Sequence, residues 1–267
     1  MKRFRAWSLI RRDPCYRRDA FAQGLVAAGG DVRHGAPASC APGDVLVIWN
    51  RYDETHRLAT QFEAGGGIVL VAENGYLGPR GLSPHGMDPR VIYALAVGGH
   101  NGAGRWVEGG AERFEQLGVA LQPWRTEGAH VLVCPNRSFG IPGQMMPPHW
   151  AADVCKRLHG VSGREIRLRP HPGNAPARRP LAADLAGAWA VVIWSSSAGV
   201  QALLAGIPVI CEAPRWICKG ATAIGIASVA QPYHDDAARR HALQRLAWAQ
   251  WHVAEIATGE PFRRLLG

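Results

Sequence analysis

The 267-residue chain predicts an α/β fold of two halves, each a largely parallel sheet wrapped by helices, with a cleft between them. Three observations carry that expectation. Compact apolar runs such as 44–50 (DVLVIWN) have the length and composition of strands buried on both faces. They alternate with helix-length segments, which is the grammar of βαβ units. The alternation then pauses in a Gly- and Pro-rich interval and restarts at His130. With 47% hydrophobic and 19% charged residues, the chain is too apolar for a disordered polymer and long enough for two cores.

Taken in order, 4–10 reads as a strand and 16–28 as a helix stopped by Gly29 and Gly30. The strand 44–50 follows, then a helix capped by Asp53 that runs to about residue 63 and breaks at Gly65, Gly66 and Gly67. IVLVAENG (68–75) supplies the next strand and its exit loop. From 78 to 128 glycines and prolines predominate, which predicts loops and short helices over a cleft, not further sheet. HVLVCPN (130–136) opens the second half, followed by a helix over 148–159, a strand within REIRLRPHPG (164–173) and a buried strand over 188–194. SSSAGVQALLAG (195–206) turns into a helix that halts at Gly206, and IPVICEAP (207–214) holds one more strand. A last amphipathic stretch, 239–259, has helical spacing of its apolar residues, including Trp248 and Trp251, and reads as a packed core helix. The boundary falls near Gly128, giving domains 1–128 and 129–267.

Thirty Lys and Arg against 21 Asp and Glu give a formal charge of +9, a balance that fits phosphate-bearing partners and equally an arginine-rich surface. Six of the arginines, Arg3, Arg5, Arg11, Arg12, Arg17 and Arg18, cluster near the start, where they could follow a polyanion such as DNA. No apolar run reaches the roughly 20 residues of a membrane span, and the basic start has no signal-peptide core. A cytoplasmic protein is therefore expected. The six cysteines (15, 40, 134, 155, 211 and 218) form no paired motif, so reduced thiols are expected and a structural zinc site is not.

Three tracts carry candidate chemistry. Ser195, Ser196 and Ser197, then Ala198 and Gly199, stand where a buried strand turns into a helix. Backbone amides, hydroxyls and small residues there suit a phosphate, while the same serines could simply cap the helix. Arg169, Pro170, His171 and Pro172 end another strand of the same half, expected beside the first, so that Arg169 and His171 meet the phosphate held by the serines. An imidazolium at His171 would neutralise charge on a departing nucleotide. Glu73, Asn74 and Gly75 close a strand of the first half, where Glu73 could accept the proton of an attacking hydroxyl. The glycine-rich interval adds His85, His100, Asn101 and Arg105 as residues lining an acceptor site together with Asn74.

In this order the tracts resemble the bacterial sialyltransferases and capsule-polysaccharide Kdo transferases, GT-B enzymes with an acidic-acidic-Gly motif, a His-Pro motif and a Ser-Ser/Thr motif. The matches are Glu73-Asn74-Gly75, His171-Pro172 and Ser195-Ser196-Ser197. The resemblance implies a GT-B-like arrangement of two Rossmann-like domains, a CMP-sugar or other nucleotide-sugar donor as co-substrate, no cofactor and no catalytic metal. By it Glu73 is the general base, His171 assists the phosphate leaving group and the serines hold the donor phosphate. Asn74 stands at the second acidic position, which leaves His100 and Asp88 as alternative bases.

The expected activity is therefore inverting, metal-independent sugar transfer to an acceptor hydroxyl. The arginine cluster favours a hydroxymethylated base in DNA as acceptor, and the resemblance favours a capsule or lipopolysaccharide glycan. A nucleotide-sugar epimerase or hydrolase of the same fold is a second class. A non-catalytic DNA-binding module is a third, for which no helix-turn-helix, zinc-finger or RNA-binding signature is present.

Overall fold

A computed structural model describes residues 3–12, 15–78, 91–172 and 179–267, which leaves His85 and Asp88 outside the described residues. It divides into two compact units: Met1–Leu117 with Gln244–Gly267, and Gly118–Leu243. The first unit is thus discontinuous, whereas the reading by sequence placed everything after 128 in the second.

The first unit contains β1 (Phe4–Ser8), α1 (Cys15–Ala27), β2 (Gly30–Arg33), β3 (Val45–Trp49), α2 (Asp53–Ala64), β4 (Ile68–Asn74), β5 (Ile92–Val97) and α3 (Glu112–Gln116). Its sheet has the order β10-β5-β4-β3-β1-β2, where β10 (Gln250–His252) comes from the C-terminal stretch. The strands β1 to β4 run parallel, and β5 and β10 are antiparallel to their neighbours. Strand pleating divides the core between two faces. Ala6, Val45, Val47, Leu70 and Ala72 pack with Phe21 and Leu25 of α1, while Trp7, Leu46, Ile48, Val69 and Val71 pack with Ala59 and Phe62 of α2.

Three local expectations are corrected. The interval 78–128 holds the strand β5, buried on both faces, which pairs along β4 from Leu70↔Val97 to Asn74↔Tyr93. The stretch 239–259 is not one helix. Here α7 (Asp236–Trp248) stops, β10 follows, and α8 (Val253–Ala257) and α9 (Glu260–Leu266) complete the chain. The break has a tertiary cause, because the buried Gln250 amide accepts from the Tyr76 and Leu77 N–H groups at 2.9 Å each and donates to the Leu77 carbonyl at 2.8 Å. Finally, Tyr52 and not Asp53 is the N-cap of α2, and its N–H donates to Thr55 Oγ1 at 3.1 Å. Trp248 and Trp251 lie in the core, as their spacing suggests.

The second unit is built on a four-stranded parallel sheet of order β7-β6-β8-β9, from β6 (His130–Cys134), β7 (Glu165–Leu168), β8 (Ala188–Ile193) and β9 (Val209–Cys211). Between them run α4 (Trp150–His159), α5 (Leu181–Leu185) and α6 (Ala198–Leu204). Val131, Val133, Ala190, Val192 and Ile210 pack on one face against Trp150, Val154 and Leu158 of α4. The thiols of Cys134 and Cys211 are buried, which pushes them up to about 12 and about 11 and makes them poor nucleophiles.

Candidate active site

The order of the second sheet creates a topological switch point. From β6 the chain moves outward through α4 to β7, returns across β6 to β8, and then moves outward the other way through α6 to β9. Ligands of open α/β sheets gather outside the carboxyl ends of the two strands at such a point, here β6 and β8. The loop after β8 is the serine tract. The loop after β6 begins Pro135, Asn136 and Arg137, and Asn136 Oδ1 accepts the Ser195 N–H at 3.0 Å, so the two loops are joined where the crevice should open.

The three serines differ in role. Ser196 is buried, and its hydroxyl accepts the Ala198 N–H at 3.2 Å, while the N-cap of α6 is Ser197, which makes no side-chain capping bond. Ser195 and Ser197 are half-buried. The Gly199 N–H is held by the Ser196 carbonyl at 3.1 Å. A Cβ at 199 would lie 2.6 Å from Ile193 Cδ1 and 2.9 Å from Trp216 Cη2, so this glycine is required for packing α6 onto β8. It is not presented to a ligand.

His171 follows β7, and β6 intervenes between β7 and β8, so the expected side-by-side placement is corrected. Two strand spacings, about 10 Å, separate the ends of β7 and β8. The imidazole is half-buried, and both burial and the positive charge of Arg137 hold its pKa below the usual histidine value. Arg137 therefore belongs to the same edge as His171. Arg169 does not open onto it: its guanidinium donates to Asp184 and to the Arg179 carbonyl at 2.8 Å, and Arg179 pairs with Asp184 at 2.9 Å. That makes Arg169 an anchor between β7 and α5 and corrects its expected contact with phosphate.

In the first unit Glu73 lies at the carboxyl end of β4, on the α2 face by alternation with Val69 and Val71. The Tyr76 hydroxyl donates to Glu73 Oε1 and accepts the Asn101 N–H at 3.2 Å. Glu73 and Asn101, separated by 28 positions, are thus brought together through a residue the sequence reading passed over. Gly75 has no room for a side chain, since a Cβ would sit 2.8 Å from the Ile92 carbonyl oxygen. Asn74 is exposed beside it. His100 is half-buried, with a buried Nδ1 that has no partner among the described residues. Arg105 pairs by its backbone with Val97, opposite Leu70, about 10 Å along β4 from Glu73. Its guanidinium approaches the Leu265 carbonyl at 3.5 Å, so it is not gathered with Glu73.

The arginine cluster is also dispersed. Arg5 lies at the amino end of β1 and pairs with Asp44, Arg12 lies beyond its carboxyl end, and Arg17 is buried, its guanidinium 4.0 Å from the Trp49 ring centroid. Asn136, Arg137 and Tyr76 carried no motif. The one available signal for Asn136 and Arg137 was their place at the exit of a predicted buried strand.

Two units, each with a parallel or largely parallel sheet joined by helices, make a Rossmann-like α/β architecture. Among solved structures, the β-Kdo 2,7-transferase of Thermosulfurimonas dismutans KpsC is similar to this chain with a TM-score of 0.58, at 13% identity, over 98% of each chain. The β-Kdo 2,4-transferase of the same KpsC is similar with a TM-score of 0.56, at 14% identity, over 89% of each chain. At these identities the likeness is one of fold. No protein-family model and no curated protein matches the chain. Among the described residues no helix is long and apolar enough to cross a membrane, and no group of three His, Cys, Asp or Glu side chains could hold a metal ion.

Proposed function

We propose that the protein is a glycosyltransferase that moves a sugar from a nucleotide-sugar donor, of the CMP-sugar type, to a hydroxyl of a glycan acceptor. The observation that carries this reading is the junction of Asn136 and Ser195 at the switch point of the second sheet, with His171 and Arg137 on the same edge. A phosphate docked against Ser195 and Ser197 gains hydroxyl donors, and Arg137 and a protonated His171 offset the charge that grows as the anomeric C–O bond to phosphate breaks. The acceptor oxygen forms the new bond to the anomeric carbon, and its proton passes to Glu73. One displacement of this kind inverts the anomeric centre. Neither the charge compensation nor the proton transfer calls for a metal.

A glycan is preferred to a DNA base because the arginines that suggested DNA are split, with Arg3 and Arg5 at the amino end of β1, Arg12 and Arg18 at its carboxyl end, and Arg17 buried on Trp49. The fold likeness to two Kdo transferases supports the same choice. The test is transfer from a panel of CMP-, UDP-, GDP- and dTDP-sugars to short glycans, with and without EDTA. Product from a CMP-sugar, unaffected by EDTA and lost in a Ser195→Ala/Ser197→Ala double variant, is the expected outcome. Donor binding unchanged in that variant would refute the phosphate site, and steeply salt-dependent binding to duplex DNA would restore the DNA acceptor.

A further inference from the structure

A cavity of about 510 Å³ in the first unit is lined by Ser8, Arg12, Arg18, Asp19 and His34, residues outside the two clusters described above. Its volume is in the range of small-molecule sites, roughly 300–1,000 Å³. Its position follows from the fold. Ser8 ends β1, Arg12 lies in the loop before α1, Arg18 and Asp19 are in the first turns of α1, and His34 follows β2. Since β1 and β2 are parallel and in register from Phe4↔Gly30 to Trp7↔Arg33, Ser8 and His34 emerge side by side. The cavity therefore opens at the carboxyl edge of the first sheet, the edge that α/β proteins use for ligands.

The polar lining is unbalanced in one direction. Among the described lining residues, Arg12, Arg18 and His34 share the cavity with one carboxylate, Asp19, whose Oδ1 is already bonded by Arg18 Nε at 2.8 Å. Two guanidiniums and an imidazole around one concavity match an oxyanion, which accepts several charge-assisted hydrogen bonds at once.

We infer that this cavity is an oxyanion-binding subsite that holds an acidic group of the acceptor, either the carboxylate of an acidic sugar or the phosphate of a carrier. Arg12 supplies the charge, His34 supplies a ring N–H, and the Arg18–Asp19 pair fixes the wall. The assignment of the bound group to an acceptor rests on the glycosyltransferase reading. The binding itself does not.

The test follows the imidazole resonances of the full chain by NMR while inorganic phosphate is added at constant ionic strength. The His34 signal moves saturably, and Arg12→Gln weakens phosphate about tenfold, the loss of about one charge-assisted hydrogen bond, 1.4 kcal/mol. Arg12→Lys, which keeps the charge, retains most of the affinity. A His34 signal that does not move, moves equally with chloride, or moves with the same affinity in Arg12→Gln overturns the site. Methyl glucuronide and glucose 1-phosphate as separate ligands identify whether carboxylate or phosphate is preferred. CMP is added in a further arm and read at His171: if His171 ignores CMP while His34 responds to phosphate, the glycosyltransferase reading fails and the oxyanion site stands.

Discussion

His171 is half-buried at the carboxyl edge of the second sheet. Burial, and then the charge of Arg137, lower its pKa, so the unliganded side chain is uncharged at neutral pH. A bound phosphate reverses the balance, because an anion at hydrogen-bond range favours imidazolium. Donor binding near pH 7 is therefore expected to take up a proton, and affinity to strengthen as the pH falls toward the unliganded pKa. Calorimetry in buffers of different ionisation enthalpy measures the uptake; His171→Gln should abolish it, and equal uptake in that variant would place the proton elsewhere. Glu73 makes the second residue-scale prediction. Glu73→Gln should lower turnover by about 10²- to 10⁴-fold with donor affinity nearly intact. Tyr76→Phe removes the hydroxyl that joins Glu73 to the Asn101 amide, and should lower turnover by about tenfold, the worth of about one hydrogen bond to a charged group. Unchanged turnover in Tyr76→Phe would mean that Glu73 needs no such support.

At the level of elements, β10 and α8 show how a C-terminal segment is drawn into a sheet whose first strand begins at Phe4. Gln250 imitates a strand neighbour by satisfying two amides and one carbonyl of the 76–77 turn. Gln250→Leu would leave all three unpaired in the interior and should destabilise the protein by about 3 kcal/mol or more, read as a lower denaturation midpoint. Arg113 of α3 supplies the second tie. It donates to both Glu255 oxygens at 2.7 and 3.0 Å and to the Gln250 carbonyl at 2.9 Å, while its guanidinium lies 4.1 Å from the Trp251 ring centroid. Burial alone would raise the Glu255 pKa, but the Arg113 hydrogen bonds and the His252 amide outweigh it and hold the carboxyl below its ordinary value. A carboxyl depressed on folding contributes stability above its unfolded pKa, about 4.3, and loses it as the pH falls through the lower folded value. Glu255→Gln should therefore cost about 2 kcal/mol at neutral pH and progressively less as the pH falls below the ordinary carboxylate range. A cost independent of pH would show that packing, not the ion pair, ties the segment.

Over the whole molecule, several arginines are built inward. Arg17 stacks on Trp49, Arg51 is bidentate to Glu63 at 2.7 Å, Arg164 lies 4.0 Å from the Trp189 ring centroid, and Arg239 pairs with Asp236 at 2.7 Å and lies 4.1 Å from the Trp124 ring centroid. Planar guanidiniums suit such stacked and forked contacts, so a formal charge of +9 need not make a surface that grips a polyanion. The discontinuous first unit has a dynamic consequence as well. Amides of β10 and α8 should exchange with solvent in step with β4 and β5, as one cooperative unit distinct from β6 to β9. Native-state hydrogen exchange reports this directly, and protection of β10 that follows β6 instead would contradict the division.

The amino-acid order alone determined the features written in local physics: the apolar runs of β3, β4, β6 and β8, the glycine stops, and the position of the serine tract at a strand's exit. Each depends on residues within a few positions of one another. The tertiary structure decided what depends on distant partners. Gln250 interrupts a helical pattern because the 76–77 backbone awaits it, and β5 emerges from a Gly- and Pro-rich interval because it can pair along β4. The same holds at the loop edges, where Asn136 meets Ser195, Tyr76 links Glu73 to Asn101, Asp184 claims Arg169 and β6 stands between β7 and β8. Periodicity records which face of an element is buried; it holds no record of which other element covers that face.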